Sequence, residues 1–321
     1  MTKTAWLFPG QGSQAVGMGM ALAAAEPAAK AVLQDADHAL GFALSTLMAE
    51  GPEDQLKLTE RTQPAILTHS TMVVRAYAHK LPKPDFAAGH SLGEYSALVA
   101  IGALSFMDAV KTVRERGRAM QEAVPVGVGA MAAILGMSAA DVEASCADAE
   151  ASTGKVVVPA NFNGPGQIVI AGHAEAVEAA MEAAKARGGR KMMKLPVSAP
   201  FHSPLMKPAQ ACMLPVLGAL AFKAPLCPLV NNVDAEAVCD PEALRDGLVR
   251  QIPGAGRWEA TMDLLLPAVR QPSSRSAAYA LWDAPEHLSF PPSNPPSPPK
   301  NESGAGQMKP APAQTMANAL L

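Results

Sequence analysis

Gly89-His90-Ser91-Leu92-Gly93 is the stretch that most limits what this chain can fold into. It fits G-x-S-x-G, a sharp turn that lifts a serine clear of a strand and runs straight into a helix. The two glycines are needed because the backbone bends where a Cβ would be in the way. The neighbouring residues agree with that setting. Asp85-Phe86-Ala87-Ala88 reads as a short buried strand, and Glu94-Tyr95-Ser96-Ala97-Leu98-Val99-Ala100 as a helix rich in small residues. The plainer alternative is a glycine-rich turn with an incidental serine, so the rest of the chain has to decide.

Residues 4–8 form an apolar strand that runs into a glycine-rich loop, Phe8-Pro9-Gly10-Gln11-Gly12-Ser13-Gln14. Alanine-rich helical patterns fill much of 18–50 and 63–80. The second opens near Gln63-Pro64, with proline at a first helical position. A further helix is predicted from about Phe106 to Glu122. Between Val126 and Ser198 the pattern changes. Ala130–Leu135 is a strand, and Ser138 with Asp141 opens a helix. Lys155–Pro159 and Gln167–Ala171 are strands around Asn163-Gly164-Pro165-Gly166. Ala174–Arg187 is a helix closed by Gly188-Gly189, and Arg190–Val197 is a last strand. The order β-α-β-β-α-β is the ferredoxin-like split unit. The chain therefore divides into a discontinuous large subdomain, 1–125 and 199–266, and a small one inserted at 126–198.

From residue 267 the expectation is a disordered tail. Ten of the 29 prolines fall within 271–321, which disfavours helix and central strand alike. Elsewhere composition mainly excludes. A formal charge of −3 with no long Lys/Arg block argues against nucleic acid. No run of 18 apolar residues suggests a membrane span. The four cysteines lie far apart, without a C-x-x-C pair, and read as reduced thiols of a cytoplasmic protein with no metal site.

A serine hydroxyl needs a base to become a useful nucleophile. Of the seven histidines, His38, His69 and His79 lie on helical stretches, His173 in the small unit and His287 in the tail. His90 adjoins Ser91, but neighbouring side chains at an elbow point apart. His202 sits between Pro200 and Pro204, where the chain returns from the insert, and is the preferred base. An oxyanion would need backbone donors. The residue after the nucleophile, Leu92, supplies one, and the Gly10-Gln11-Gly12 loop is suited to supply the other. That loop matches neither G-x-x-x-x-G-K-[ST] nor the dinucleotide fingerprint.

Together these segments resemble the malonyl-CoA:acyl carrier protein transacylases of fatty acid biosynthesis. The resemblance rests on Phe8 to Gln14, Gly89 to Ser96, Arg116 to Pro125, Asn161 to Gly172, Pro200-Phe201-His202-Ser203, and Gln251 followed by Arg257-Trp258. It covers about residues 4–266. It implies a large α/β-hydrolase-like subdomain beside the ferredoxin-like insert, with the active site between them. It also implies Ser91 as nucleophile, His202 as general base and acid, and the N–H groups of Gln11 and Leu92 as oxyanion donors. Arg116, otherwise one charge in a solvated run, would bind the malonyl carboxylate through its planar fork. Gln251 would orient the histidine, and Phe201 would narrow the pocket against branched acyl groups. Malonyl-CoA and acyl carrier protein are the implied partners, with no cofactor, and the chain is expected to be a cytoplasmic monomer.

The match fades after Leu264-Leu265-Leu266. The family continues with a strand ending in a Glu-Leu-Gly-Pro-Gly type turn, whereas Gln271 onward is unrelated, as a reading-frame shift or fusion near 267 would produce. Two other readings remain at this stage: a serine hydrolase or thioesterase, and an impaired homologue that only docks carrier protein.

Overall fold

The unbroken run Thr4-Ala-Trp-Leu-Phe8 is buried at every position, as a strand covered on both faces of a parallel sheet must be. This is β1 (Thr4–Phe8), and it pairs in parallel with β2 (Phe86–Gly89), from Ala5 opposite Phe86 to Phe8 opposite Gly89. The structure, a computed structural model, describes residues 3–197, 199–269 and 277–280. The β1–β2 register carries the consequence for function. Both strands end level, so the Gly10 loop and the Ser91 turn leave the sheet side by side, tied by His90 N–H donating to Phe8 O at 3.0 Å.

The other strands are β3 (Gly129–Leu135), β4 (Val157–Gly164), β5 (Gln167–His173), β6 (Lys191–Lys194), β7 (Leu229–Val230), β8 (Ala237–Val238) and β9 (Ala277–Ala280). One sheet runs β8-β7-β2-β1-β9 and the other β4-β5-β3-β6. The second sheet is antiparallel, with the helices Ala139–Thr153 and Ala174–Ala186 as its crossovers. That is the ferredoxin-like order expected from the pattern. The first sheet is parallel apart from β8, with helices packed against it, giving the expected α/β class. The apolar core falls into clusters, of which the largest takes in one face of each sheet. Ile134, Val142, Ile168, Ile170 and Val177 fill one, and the largest runs from Trp6 and Phe8 through Ile66, Leu98 and Val113 to Leu248. No helix among the described residues is long and apolar enough to cross a membrane.

Two expectations need correction. The helix expected to open at Gln63-Pro64 opens at Thr59 and runs to Tyr77, with Pro64 inside it. The earlier turn holds because Thr62 Oγ1 donates to Leu56 O at 2.6 Å, and Pro64 withholds only the N–H that would have reached Glu60 O. The stretch from 267, expected to be a disordered tail without helix or central strand, holds the end of a helix and an edge strand. The helix Trp258–Val269 contains Pro267 in its last turn, and β9 pairs with β1 from Thr4 opposite Ala277 to Leu7 opposite Ala280. Prolines 272 and 285 leave an apolar interval between them, and an edge strand needs hydrogen bonds on one side alone. The disorder expected of 270–276 and 281–321 lies outside the described residues.

The elbow is packed backbone on backbone. A Cβ at Gly93 would lie 2.4 Å from Phe8 O, and one at Gly89 would lie 2.0 Å from the Gly93 carbonyl carbon. Neither neighbour is a flexible side chain that can swing aside. Gly93→Ala is therefore expected to destabilise the fold by about 3 kcal/mol, the upper part of the range for overpacking. Urea unfolding followed by circular dichroism checks this, and an unchanged midpoint would contradict the packing described.

Candidate active site

Ser91 has φ 50°, a left-handed conformation that costs an L-residue roughly 1–2 kcal/mol. Asn232 holds it there. Ser91 N–H donates to Asn232 Oδ1 at 2.6 Å, and Asn232 Nδ2 donates to Gly89 O at 2.7 Å, so one amide clamps both sides of the turn. The sequence reading missed Asn232. Its one signal is position, just past the carboxyl end of the strand beside β2, where ligand-binding residues of parallel sheets gather.

Ser91 Oγ lies 2.8 Å from His202 Nε2, across 111 positions of sequence. On the far side of the ring Nδ1–H donates to the backbone carbonyls of Gln251 at 2.9 Å and Gly254 at 3.2 Å. These two acceptors fix the tautomer, leaving the Nε2 lone pair facing the serine hydroxyl. His202 is 4% exposed, and burial, reinforced by the charge of Arg116, lowers its pKa to about 3. The ring is thus neutral at physiological pH, as a base must be before it accepts a proton.

Arg116 is 1% exposed and reaches the same serine: Nη2 donates to Ser91 Oγ at 3.1 Å and to Gln251 Oε1 at 2.8 Å, while Nη1 donates to Gln63 Oε1 at 2.9 Å. Its Nε has no hydrogen-bond partner among the described residues, and its guanidinium lies over the Tyr95 ring. A buried cation held by neutral amides has unspent capacity for an anion. Gln251 lies by the histidine, and two of its groups have separate partners. Its backbone carbonyl orients His202, while its side chain bridges Arg116, Ser91 O at 3.0 Å and Glu94 Oε2 at 2.6 Å.

Leu92 is buried directly after the nucleophile, and Gln11 lies in the adjoining loop, its side-chain Nε2 turned to Thr59 Oγ1 at 3.4 Å. Gly10 brings that loop close: a Cβ there would sit 2.7 Å from His90 O. Phe201 is buried beside His202. His90 points away from Ser91, its Nε2 2.9 Å from Asn163 Oδ1 and its ring edge-on to Trp258 at 5.6 Å. It joins the elbow to the second sheet. Phe162 N–H donates to Gly256 O and Gly256 N–H to Ala160 O, both at 2.8 Å, so β4 also braces the loop that presents the Gly254 carbonyl to His202.

A serine on a strand-to-helix elbow, hydrogen-bonded to a neutral buried histidine, defines a serine-dependent acyl-transfer enzyme. The acyl transferase domain family matches residues 5–245. The malonyl CoA-acyl carrier protein transacylase of Escherichia coli strain K12 is 48% identical over 266 residues, 83% of this chain and 85% of the relative. An acyl carrier protein S-malonyltransferase from Vibrio cholerae superposes with a TM-score of 0.81 at 45% identity, covering 84% of this chain and 87% of that one. A malonyl-transacylase solved in complex with a type II PKS acyl-carrier protein superposes with a TM-score of 0.80 at 43% identity, covering 83% and 86%. The chain belongs to the malonyl CoA-acyl carrier protein transacylase family, and it is an acyltransferase.

Proposed function

We propose that this protein moves a malonyl group from malonyl-CoA to the phosphopantetheine thiol of acyl carrier protein, in fatty acid biosynthesis, through a malonyl ester on Ser91. The observation that carries this reading is the buried Arg116 guanidinium, 3.1 Å from Ser91 Oγ and with no carboxylate bonded to it among the described residues. A free carboxylate two carbons from the thioester carbonyl suits that spacing, and acetyl lacks it. The same charge disfavours a general hydrolase, whose site gains nothing from a fixed cation.

In the first half-reaction Ser91 Oγ attacks the thioester carbon while its proton passes to His202 Nε2. The carbonyl oxygen, now negative, takes the N–H groups of Gln11 and Leu92 as donors. The C–S bond breaks, and the departing CoA sulfur takes the proton from His202. In the second half the carrier thiol gives its proton to His202, its sulfur attacks the ester carbon, and Ser91 recovers the proton as its C–O bond breaks. Throughout, Gln251 and Gly254 carbonyls hold the imidazole and stabilise its transient positive form. In this reading Phe201, buried and next to His202 in sequence, limits branching on the acyl chain.

The proposal includes the division into 1–125 with 199–266 and 126–198, the reaction taking place between the two parts. It also includes a cytoplasmic monomer that needs no cofactor and binds neither nucleic acid nor membrane. Incubation with malonyl-CoA followed by peptide mass spectrometry is expected to give one malonyl adduct on Ser91, discharged by added holo-carrier protein. An adduct discharged faster by water than by carrier protein would mean a thioesterase, and no adduct would mean a docking-only homologue.

A further inference from the structure

Glu94 is 1% exposed, yet its carboxylate forms no hydrogen bond or ion pair to a Lys or Arg among the described residues. Its Oε2 accepts from Gln251 Nε2 at 2.6 Å and from Asn232 N–H at 3.3 Å, while Oε1 has no hydrogen-bond partner among the described residues. Through those two residues it is linked to Ser91, His202 and Arg116. Asn232 clamps the Ser91 turn, the Gln251 carbonyl holds His202, and the Gln251 side chain takes Arg116 Nη2. Arg116, Gln251 and Glu94 thus form a line in which one neutral amide separates a buried cation from a buried carboxyl group.

We infer that Glu94 is a positioning residue that takes up a proton when the substrate carboxylate docks on Arg116. The inference rests on the proposed malonyl specificity. In the empty site the hydrogen bonds from Gln251 and Asn232 favour ionised Glu94, and the Arg116 charge adds a Coulombic attraction to them. A carboxylate on Arg116 cancels that attraction and places a second negative charge across the Gln251 amide. Two anions and one cation, all buried, are expensive, and a proton on the unpartnered Oε1 relieves the excess.

The surrounding charges are consistent with this. Burial raises Glu94 to about 7, Arg116 and the amide donors pull it down, and Asp234 pushes it up. Tyr95, beside it, is raised to about 12 and stays neutral, and His202 is neutral for the reasons given above. Glu94 is therefore the group within reach whose proton occupancy is divided near neutrality. Because docking raises its pKa, binding takes up protons, and affinity for the malonyl group falls as pH rises above 7.

The test uses Ser91→Ala, which binds thioesters without reacting. Calorimetry in buffers of different ionisation enthalpy measures proton uptake with malonyl-CoA, and acetyl-CoA subtracts the contribution of the CoA phosphates. The expected excess is about half a proton at pH 7, from a group half-protonated when free. Adding Glu94→Gln, which keeps an acceptor for Gln251 and mimics the protonated acid, is expected to abolish the excess and flatten the pH dependence of affinity. Tighter malonyl-CoA than acetyl-CoA binding without excess uptake, or uptake that survives Glu94→Gln, overturns the role of Glu94 alone. Equal binding of the two thioesters overturns the malonyl reading itself. If the double variant fails to fold, infrared difference spectra of Ser91→Ala decide: a protonated-carboxyl band gained with malonyl-CoA over acetyl-CoA supports the inference, and its absence overturns it.

Discussion

His202→Asn is expected to lower kcat/KM for malonyl transfer about 10³-fold, the middle of the range for a general base. Asparagine is the informative choice because His202 has φ 57°, a left-handed conformation that asparagine tolerates better than alanine does. Its amide also has a donor for the Gln251 and Gly254 carbonyls, so the thermal midpoint should stay close to that of the parent. What the variant lacks is a basic nitrogen at 2.8 Å from Ser91 Oγ. The direction of the pKa shift adds a second test. A histidine lowered to about 3 is deprotonated at every pH above that, so the parent kcat/KM should show no acid limb at 6.5, the ordinary histidine value. The rate would fall with acid only well below pH 5. A steady-state profile from pH 5 to 8 checks this. Transfer by His202→Asn within tenfold of the parent would remove His202 from the chemistry.

The sequence made the small sheet legible because each of its elements carries a local signal. Ser138 accepts from the Asp141 N–H as the capping pattern requires, and Gly188 follows the second helix with φ 89°. Those signals act within a few residues. Strand ends were less legible, since β6 stops at Lys194 where the pattern ran on to Val197, and β4 extends to Gly164. The β9 strand was missed because its prolines were read as a single composition, while the structure uses the interval between them. In the site, Ser91 and His202 were legible from an elbow motif and a proline-framed loop. Asn232, Glu94 and Gln63 were not, because their roles arise from contacts spanning 53 to 157 positions, and no local pattern marks a buried amide as a clamp. Gln251 was located correctly, but which of its groups faces the histidine depends on the turn that follows it.

Arg116→Ala is expected to lower kcat/KM for malonyl loading by about 10³-fold while leaving or raising that for acetyl loading. A guanidinium can form two parallel charge-assisted bonds to a carboxylate, and breaking such a buried pair costs about 3–5 kcal/mol. That is roughly 10²–10⁴ in rate if the interaction persists into the transition state. Acetyl makes no such bond, so it loses nothing. Any gain comes from Ser91 Oγ itself, which loses the Nη2 donor at 3.1 Å and so keeps a lone pair free for attack. Arg116→Lys separates charge from shape. Lysine keeps the positive charge but is a point donor on a flexible stem, unable to span Gln63 and Gln251 as the planar fork does. It should fall between the parent and Arg116→Ala for malonyl and leave acetyl excluded. Stability must be followed in parallel, because removing the guanidinium strands the Gln63 and Gln251 carbonyls but also removes a buried charge, two effects of opposite sign. Competition between malonyl-CoA and acetyl-CoA for Ser91, read by mass spectrometry, is independent of the fraction folded. A ratio unchanged in Arg116→Ala would place the selecting charge elsewhere.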